Sequence, residues 1–170
     1  MNSRLVDFAE HYWSEYLGKI ATAIEPLTDE QIWWRPNEAS NSIGNLLAHL
    51  AGNLGQWILV ALGGEALTRD RDAEFAARGG ATKAELLARL RATVDGCHAV
   101  ARRLKPQDLA RRHVIQNHDV DGFRAIFHAV EHMSYHTGQI VLLAKMQGVR
   151  VDFYPKLAAG PPAPPNERSE

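Results

Sequence analysis

The sequence predicts an all-α protein built as a four-helix bundle. Three observations point there. Four long segments repeat apolar residues at the three- and four-residue spacing of a helix face. Alternation of apolar and polar residues, the mark of a half-buried strand, is almost absent. Prolines, glycine pairs and capping residues fall between the long segments.

The first helix is expected over 3–25. Leu5, Phe8, Tyr12 and Tyr16, then Ile20 and Ile24, recur at helical spacing, and Pro26 stops the run because it has no N–H to donate. Thr28-x-x-Gln31 is a capping box that opens a short helical turn through Trp34, before Pro36. Trp33 and Trp34 read as core or wall, since aromatic side chains mainly bury area. Ser40, Asn41 and Ser42 offer a start for the second helix, expected over 42–62 and ended by Gly63-Gly64. Residues 63–81 form a charged connection, longer than a tight turn, that suits a crossing of the bundle. Thr82-x-x-Glu85 caps the third helix, which carries Leu86, Leu90, Val94, Cys97 and Ala101 on one side and ends before Pro106. Residues 106–120 read as a link, with 112–116 briefly extended. The fourth helix starts at Asp119 or Asp121 and ends at Gly148. It is apolar nearly all round, which predicts burial. One domain over 1–150 and a Pro-rich tail over 151–170 complete the chain.

Composition narrows the function. The 170 residues are 45% hydrophobic and 23% charged, ordinary for one globular domain, and the net charge is −1. That balance argues against nucleic acid or an anionic membrane as partner. The single cysteine, Cys97, permits no internal disulfide and fits a reducing compartment. Acidic Asp7 and Glu10 interrupt any signal-peptide core, and no apolar run reaches the roughly 18 residues of a spanning helix. A cytoplasmic location is expected.

The chemistry lies in the fourth helix, with His128, His132 and His136. Residues four apart share a helix face, so His132 and His136 present two imidazoles from consecutive turns, a pair that borderline divalent metals accept. His128 extends the row but drifts around the helix, and is expected beside the site. A third ligand must come from another helix. His49, in the middle of the second, is the candidate, although a hydrogen-bonded core histidine would look the same. Three protein ligands leave one position open for water or substrate, the catalytic pattern. Asn53, Gln56 and Trp57 share the stripe of His49; Asn53, Gln56, Glu131 and Gln139 are available to orient ligands or hold substrate. Glu131 is also the candidate general base.

These residues carry a resemblance. The run N-S-I-G-N-L-L-A-H-L-A-G-N-L-G-Q-W, from Asn41 to Trp57, followed far downstream by H-M-S-Y-H-T-G-Q-I, from His132 to Ile140, is similar to the DinB-like (YfiT-like) superfamily. The likeness covers roughly residues 5–150. It implies a bundle in up-down-down-up order. It also implies a divalent metal, often nickel or zinc, held by His49, His132 and His136. Homodimers are common among such proteins. Some resemble thiol-dependent transferases that use a low-molecular-weight thiol, and others have been called hydrolases. The resemblance therefore implies a metal-dependent enzyme acting on a small molecule; a non-catalytic, metal-stabilised or dimeric interaction bundle is the alternative.

Overall fold

A computed structural model describes residues 2–153. In chain order the elements are α1 (Asn2–Ile24), α2 (Asp29–Trp33) and α3 (Ile43–Leu54), which runs on as a π-helical stretch, Gly55–Val60. Then come α4 (Arg71–Ala76), α5 (Lys83–Arg103), α6 (Pro106–Ala110), β1 (Arg112–Ile115), β2 (His118–Asp121) and α7 (Gly122–Met146). The helices α1, α3, α5 and α7 are the four of an all-α bundle. Of the expected Pro-rich tail, residues 154–170 lie outside the described residues.

Local chemistry fixes the helix starts. Thr28, Ser42 and Thr82 each close a reciprocal capping box with the side chain three residues on. Each satisfies two otherwise orphaned N–H groups, worth about 1 kcal/mol per cap. Asp121, rather than Asp119, caps α7 through the N–H of Arg124. At the far end Gly148 adopts φ +88°, the left-handed conformation in which a helix-ending glycine meets no Cβ penalty.

Each long helix packs on two others: α1 on α5 and α7, and α3 on the same two. Named contacts give the directions. Cys97 Sγ of α5 lies 3.9 Å from the Leu54 carbonyl, and Arg103 donates to the Gly63 carbonyl at 2.9 Å. At the opposite end Trp33, packed on Gly44, donates to the Ala81 carbonyl just before α5. So α3 and α5 run the same way, and the connection between them must return along the bundle. Against α5, α1 runs in reverse: Glu10 pairs with Arg102, and Lys83 donates to the Glu25 carbonyl. The core holds Trp13, Ile20, Leu47, Leu50, Leu90 and Ile126, all essentially inaccessible. Burial of each contributes about 1.5–3 kcal/mol before entropy is counted.

Several expectations need correction. The core stripe of α1 is Ala9, Trp13, Leu17, Ile20 and Ile24, while Phe8 is exposed and Tyr12 and Tyr16 are half-buried. Two apolar stripes lie side by side on this helix, and the one bearing Trp13 faces the core. Nor is α7 buried all round. Phe123, Phe127, Tyr135, Leu142 and Met146 are exposed, because a bundle covers only the stripe turned toward its partners. The second helix is not α-helical to residue 62; it widens into the π turn from Gly55, where a Cβ would stand 2.7 Å from Leu67. The 63–81 connection contains α4, capped by Asp70. The 106–120 link folds into α6 and a hairpin whose two-residue turn, Gln116-Asn117, has φ +51° and +66°. Positive φ at both positions is the type I′ pattern, matched to strand twist.

Candidate metal centre

The centre is assembled from α3 and α7, with α4 laid over one side. His49 stands mid-way along α3, where every residue from Ile43 to Leu54 is buried. Opposite it, α7 presents His132 and His136 one turn apart. Candidate ligand nitrogens of the three imidazoles all lie within 4.8 Å of one another. Nε2 of His49 is 2.9 Å from Nε2 of His132. Nitrogens bound at 2.0–2.1 Å to a common ion sit about 2.9–3.4 Å apart, so this pair already has the spacing of neighbouring ligands. Among the described residues, no other set of three or more His, Cys, Asp or Glu is so grouped.

Outer contacts decide which nitrogen is free. Nδ1–H of His49 donates to Glu74 Oε2 at 3.0 Å, which leaves the Nε2 lone pair facing the cluster. Nδ1–H of His136 donates to Gln139 Oε1 at 2.7 Å, with the same result. These are tautomers assigned from the partners, since an oxygen acceptor needs an N–H. Burial first, then the neighbouring imidazoles and Arg69, push His132 down to about 3. Burial also holds His136 below its usual range, against the pull of Gln139. Deprotonated imidazole is the form that binds metal, so the donor set fits a first-row divalent ion.

Glu74 is the residue that sequence reasoning missed. It is 7% exposed, and Arg69 clamps it in a two-pronged pair, Nε to Oε1 and Nη2 to Oε2, each 2.8 Å. Burial raises the Glu74 carboxyl, but hydrogen bonds and charge from Arg69 and His49 outweigh it and hold the group ionised. Arg69 Nη2 also lies 3.1 Å from His49 Nδ1. Both are donors converging on one carboxylate oxygen, so they do not bond each other. The carbonyls of α4 are pinned in turn: Asn45 Nδ2 donates to those of Glu74 and Ala77, and Arg35 to those of Phe75 and Ala77. Phe75 packs its ring 4.6 Å from that of His49. The available signal was an acidic residue set between Ala73 and the apolar run Phe75, Ala76 and Ala77 inside an otherwise charged connection.

The remaining candidates divide. Gln56 accepts from Arg69 at 2.9 Å and from Gln116 of the hairpin turn at 2.8 Å. Trp57 is buried and packs its ring against His128, tilted by 36° with centroids 3.9 Å apart, and His128 lies 5.1 Å from the ring of His132. Asn53 is buried one turn beyond His49 with no partner for its Oδ1 among the described residues. Glu131 is not among the groups gathered around His49, His132 and His136: its side chain is 58% exposed, in a groove shared with Phe8, Tyr12 and Tyr16 of α1. Trp33 and Trp34 also stay away; Trp33 packs on Gly44, and Trp34 is exposed. No helix among the described residues is long and apolar enough to cross a membrane.

Comparison with known proteins agrees with this architecture. The profile of the protein family of unknown function DUF1572 matches residues 3–154. No curated protein matches. Among solved structures, YfiT from Bacillus subtilis, described as a probable metal-dependent hydrolase with an unusual four-helix bundle topology, is similar. Its TM-score is 0.70 at 20% identity, covering 84% of this chain and 87% of YfiT. A DinB-like protein from Bacillus cereus ATCC 10987 gives 0.66 at 14% identity, over 82% of this chain and 91% of that one. The DinB-like protein YjoA from Bacillus subtilis gives 0.65 at 19% identity, over 86% and 96%. At these identities the likeness is one of fold.

Proposed function

For a chain that belongs to the DUF1572 family, within the DinB-like superfamily, we propose a metal-dependent enzyme, of hydrolase type, acting on a small molecule. The observation that carries this reading is the convergence of three imidazoles within 4.8 Å, two of them fixed at Nδ1 by oxygen acceptors. His49, His132 and His136 would hold a divalent ion, nickel or zinc. Bound by three protein ligands, such an ion supplies a Lewis acid and lowers the pKa of water or of a thiol. The rest of the work falls to the chain. Glu74, held by Arg69, orients His49; Gln139 orients His136; and the buried walls from α3 and α7 exclude bulk water. Glu131 has no part in this reading, because it faces α1.

A low-molecular-weight thiol is the competing nucleophile for the same open position. A homodimer, implied by the resemblance, belongs to the same proposal and would cover the exposed apolar face of α1 and α7. The test is turnover of ester, amide and epoxide panels by tag-free protein, with and without added thiols, before and after chelation. The proposal expects products that disappear on chelation and in His132→Ala. Thiol adducts in place of hydrolysis would move the assignment to transfer. Turnover indifferent to both chelation and His132→Ala would overturn it.

A further inference from the structure

We infer that the small pocket roofed by the hairpin, with His128 between it and His132, is the substrate subsite, and that it takes a small organic anion with a flat apolar body. Its role as a substrate site rests on the reading above; its anion preference does not. The pocket encloses about 210 Å³ and is lined by Trp57, Gln116, His118, Val120, Arg124 and His128. At about 20 Å³ per atom, that volume suits a molecule of roughly ten non-hydrogen atoms, below the drug-sized range.

Position comes first. His128 forms one wall and lies one turn before His132 on α7, ring to ring at 5.1 Å. A molecule seated here therefore rests against His128, the next imidazole along α7 from His132, while His49, His132 and His136 themselves do not line the pocket. Charge comes next. Arg124 is the one charged side chain lining the pocket, and no carboxylate does. The Arg124 guanidinium has no hydrogen bond or ion pair among the described residues. A free guanidinium at a pocket mouth presents a fork that fits a carboxylate or phosphonate. Asp121 accepts the Arg124 backbone N–H at 2.8 Å, and Glu131 comes to 3.9 Å from His128 Nδ1, but neither carboxylate lines the pocket.

Unspent polarity is the third observation. Trp57 is 4% exposed, yet its Nε1–H has no partner among the described residues, nor has Nε2 of the adjoining His128. A buried polar atom left unpaired costs roughly 1–3 kcal/mol, so two together at one pocket mark a place where a ligand atom belongs. The apolar side is supplied by the Trp57 indole and by Val120, which is buried in β2. Finally, the roof is tied to the metal ligands. Gln116 bonds Gln56, Gln56 bonds Arg69, Arg69 bonds Glu74, and Glu74 bonds His49. The hairpin tip and the first imidazole therefore share one hydrogen-bonded chain.

The test is an NMR titration of the full chain with benzoate, phenylphosphonate and the neutral isostere benzamide, following the Trp57 indole N–H, assigned with Trp57→Phe. The same titrations are run on Arg124→Gln and on Arg91→Gln, an α5 variant outside the pocket. Saturable shifts with benzoate or phenylphosphonate, weakened about tenfold in Arg124→Gln and unchanged in Arg91→Gln, are expected. The tighter of the two anions names the head group. Benzamide binding as tightly as the anions, an unchanged Arg124→Gln, or no saturable shift at all would overturn the inference. Metal uptake is measured on the same samples. Anion preference without metal uptake would remove the proposed reaction and leave the pocket; metal uptake without anion preference would do the reverse.

Discussion

Glu74 Oε2 stands 3.0 Å from Nδ1 of His49, on the side of the ring away from His132. A carboxylate from the connection between α3 and α5 thus sets the tautomer of an imidazole in the middle of the bundle. In Glu74→Gln the side chain keeps its shape and loses its charge. Metal affinity should fall about 10–100-fold, the usual effect of removing such a partner. A competition titration with a chromogenic chelator measures it, with circular dichroism as the control for fold. Unchanged affinity would mean that the carboxylate serves only to anchor Arg69.

Gly52→Ala carries the opposite sign from the usual helix rule. Alanine inside a helix ordinarily gains about 1 kcal/mol over glycine. Here the added Cβ would lie 2.1 Å from Glu74 Oε1 and 2.6 Å from Arg69 Nε. The ion pair must shift off α3, and the expected loss is about 1–3 kcal/mol in chemical denaturation. A stabilised variant would show that this pair does not pack against the helix as described.

Acid should weaken the metal-free protein through its buried histidines. Burial lowers His128 and His136, and brings His132 to about 3. With folded values below the unfolded value near 6.5, the unfolded chain binds more protons at acid pH, so stability rises with pH across that window. The contribution is complete above about pH 6.5 and is lost as pH falls from there toward 3. After discount for the partial exposure of these rings, the loss at pH 5 is on the order of 1 kcal/mol, or a few degrees in Tm. Melting scans of chelated protein at pH 5 and 7.5 check it; an equal or higher Tm at pH 5 contradicts it.

Much of the bundle was legible because its signals are local. The capping boxes at Thr28 and Thr82 and the stripe from Leu86 to Ala101 need only neighbours three and four residues away. The three histidines were legible by spacing on α7 and by their company on α3. What escaped notice depends on distance. Glu74 meets His49 across 25 positions, and Gln116 meets Gln56 across 60. The hairpin escaped because its strands are four residues each and its turn is Gln-Asn, not the Asn-Gly that usually announces a type I′ pair. On α1 the sequence offers two apolar stripes, and periodicity alone cannot choose between Phe8 and Trp13 as the inward one.

The outward stripe has its own consequence. Phe8 and Phe127 are 54% and 59% exposed and line one groove between α1 and α7. If a second copy covers that face, Phe127→Glu should shift the sedimentation equilibrium mass from dimer to monomer, because a buried unpaired carboxylate opposes association. A parent that sediments as a monomer at all concentrations would remove the dimer from the proposal.

The most direct measurement of the central claim is elemental analysis of tag-free protein beside His49→Ala and His132→Ala, with His118→Ala as the control. About one equivalent of a first-row divalent metal is expected in the parent and in His118→Ala, and its loss from the other two. No metal in the parent, with none taken up on titration, would contradict it. So would equal metal in all four proteins.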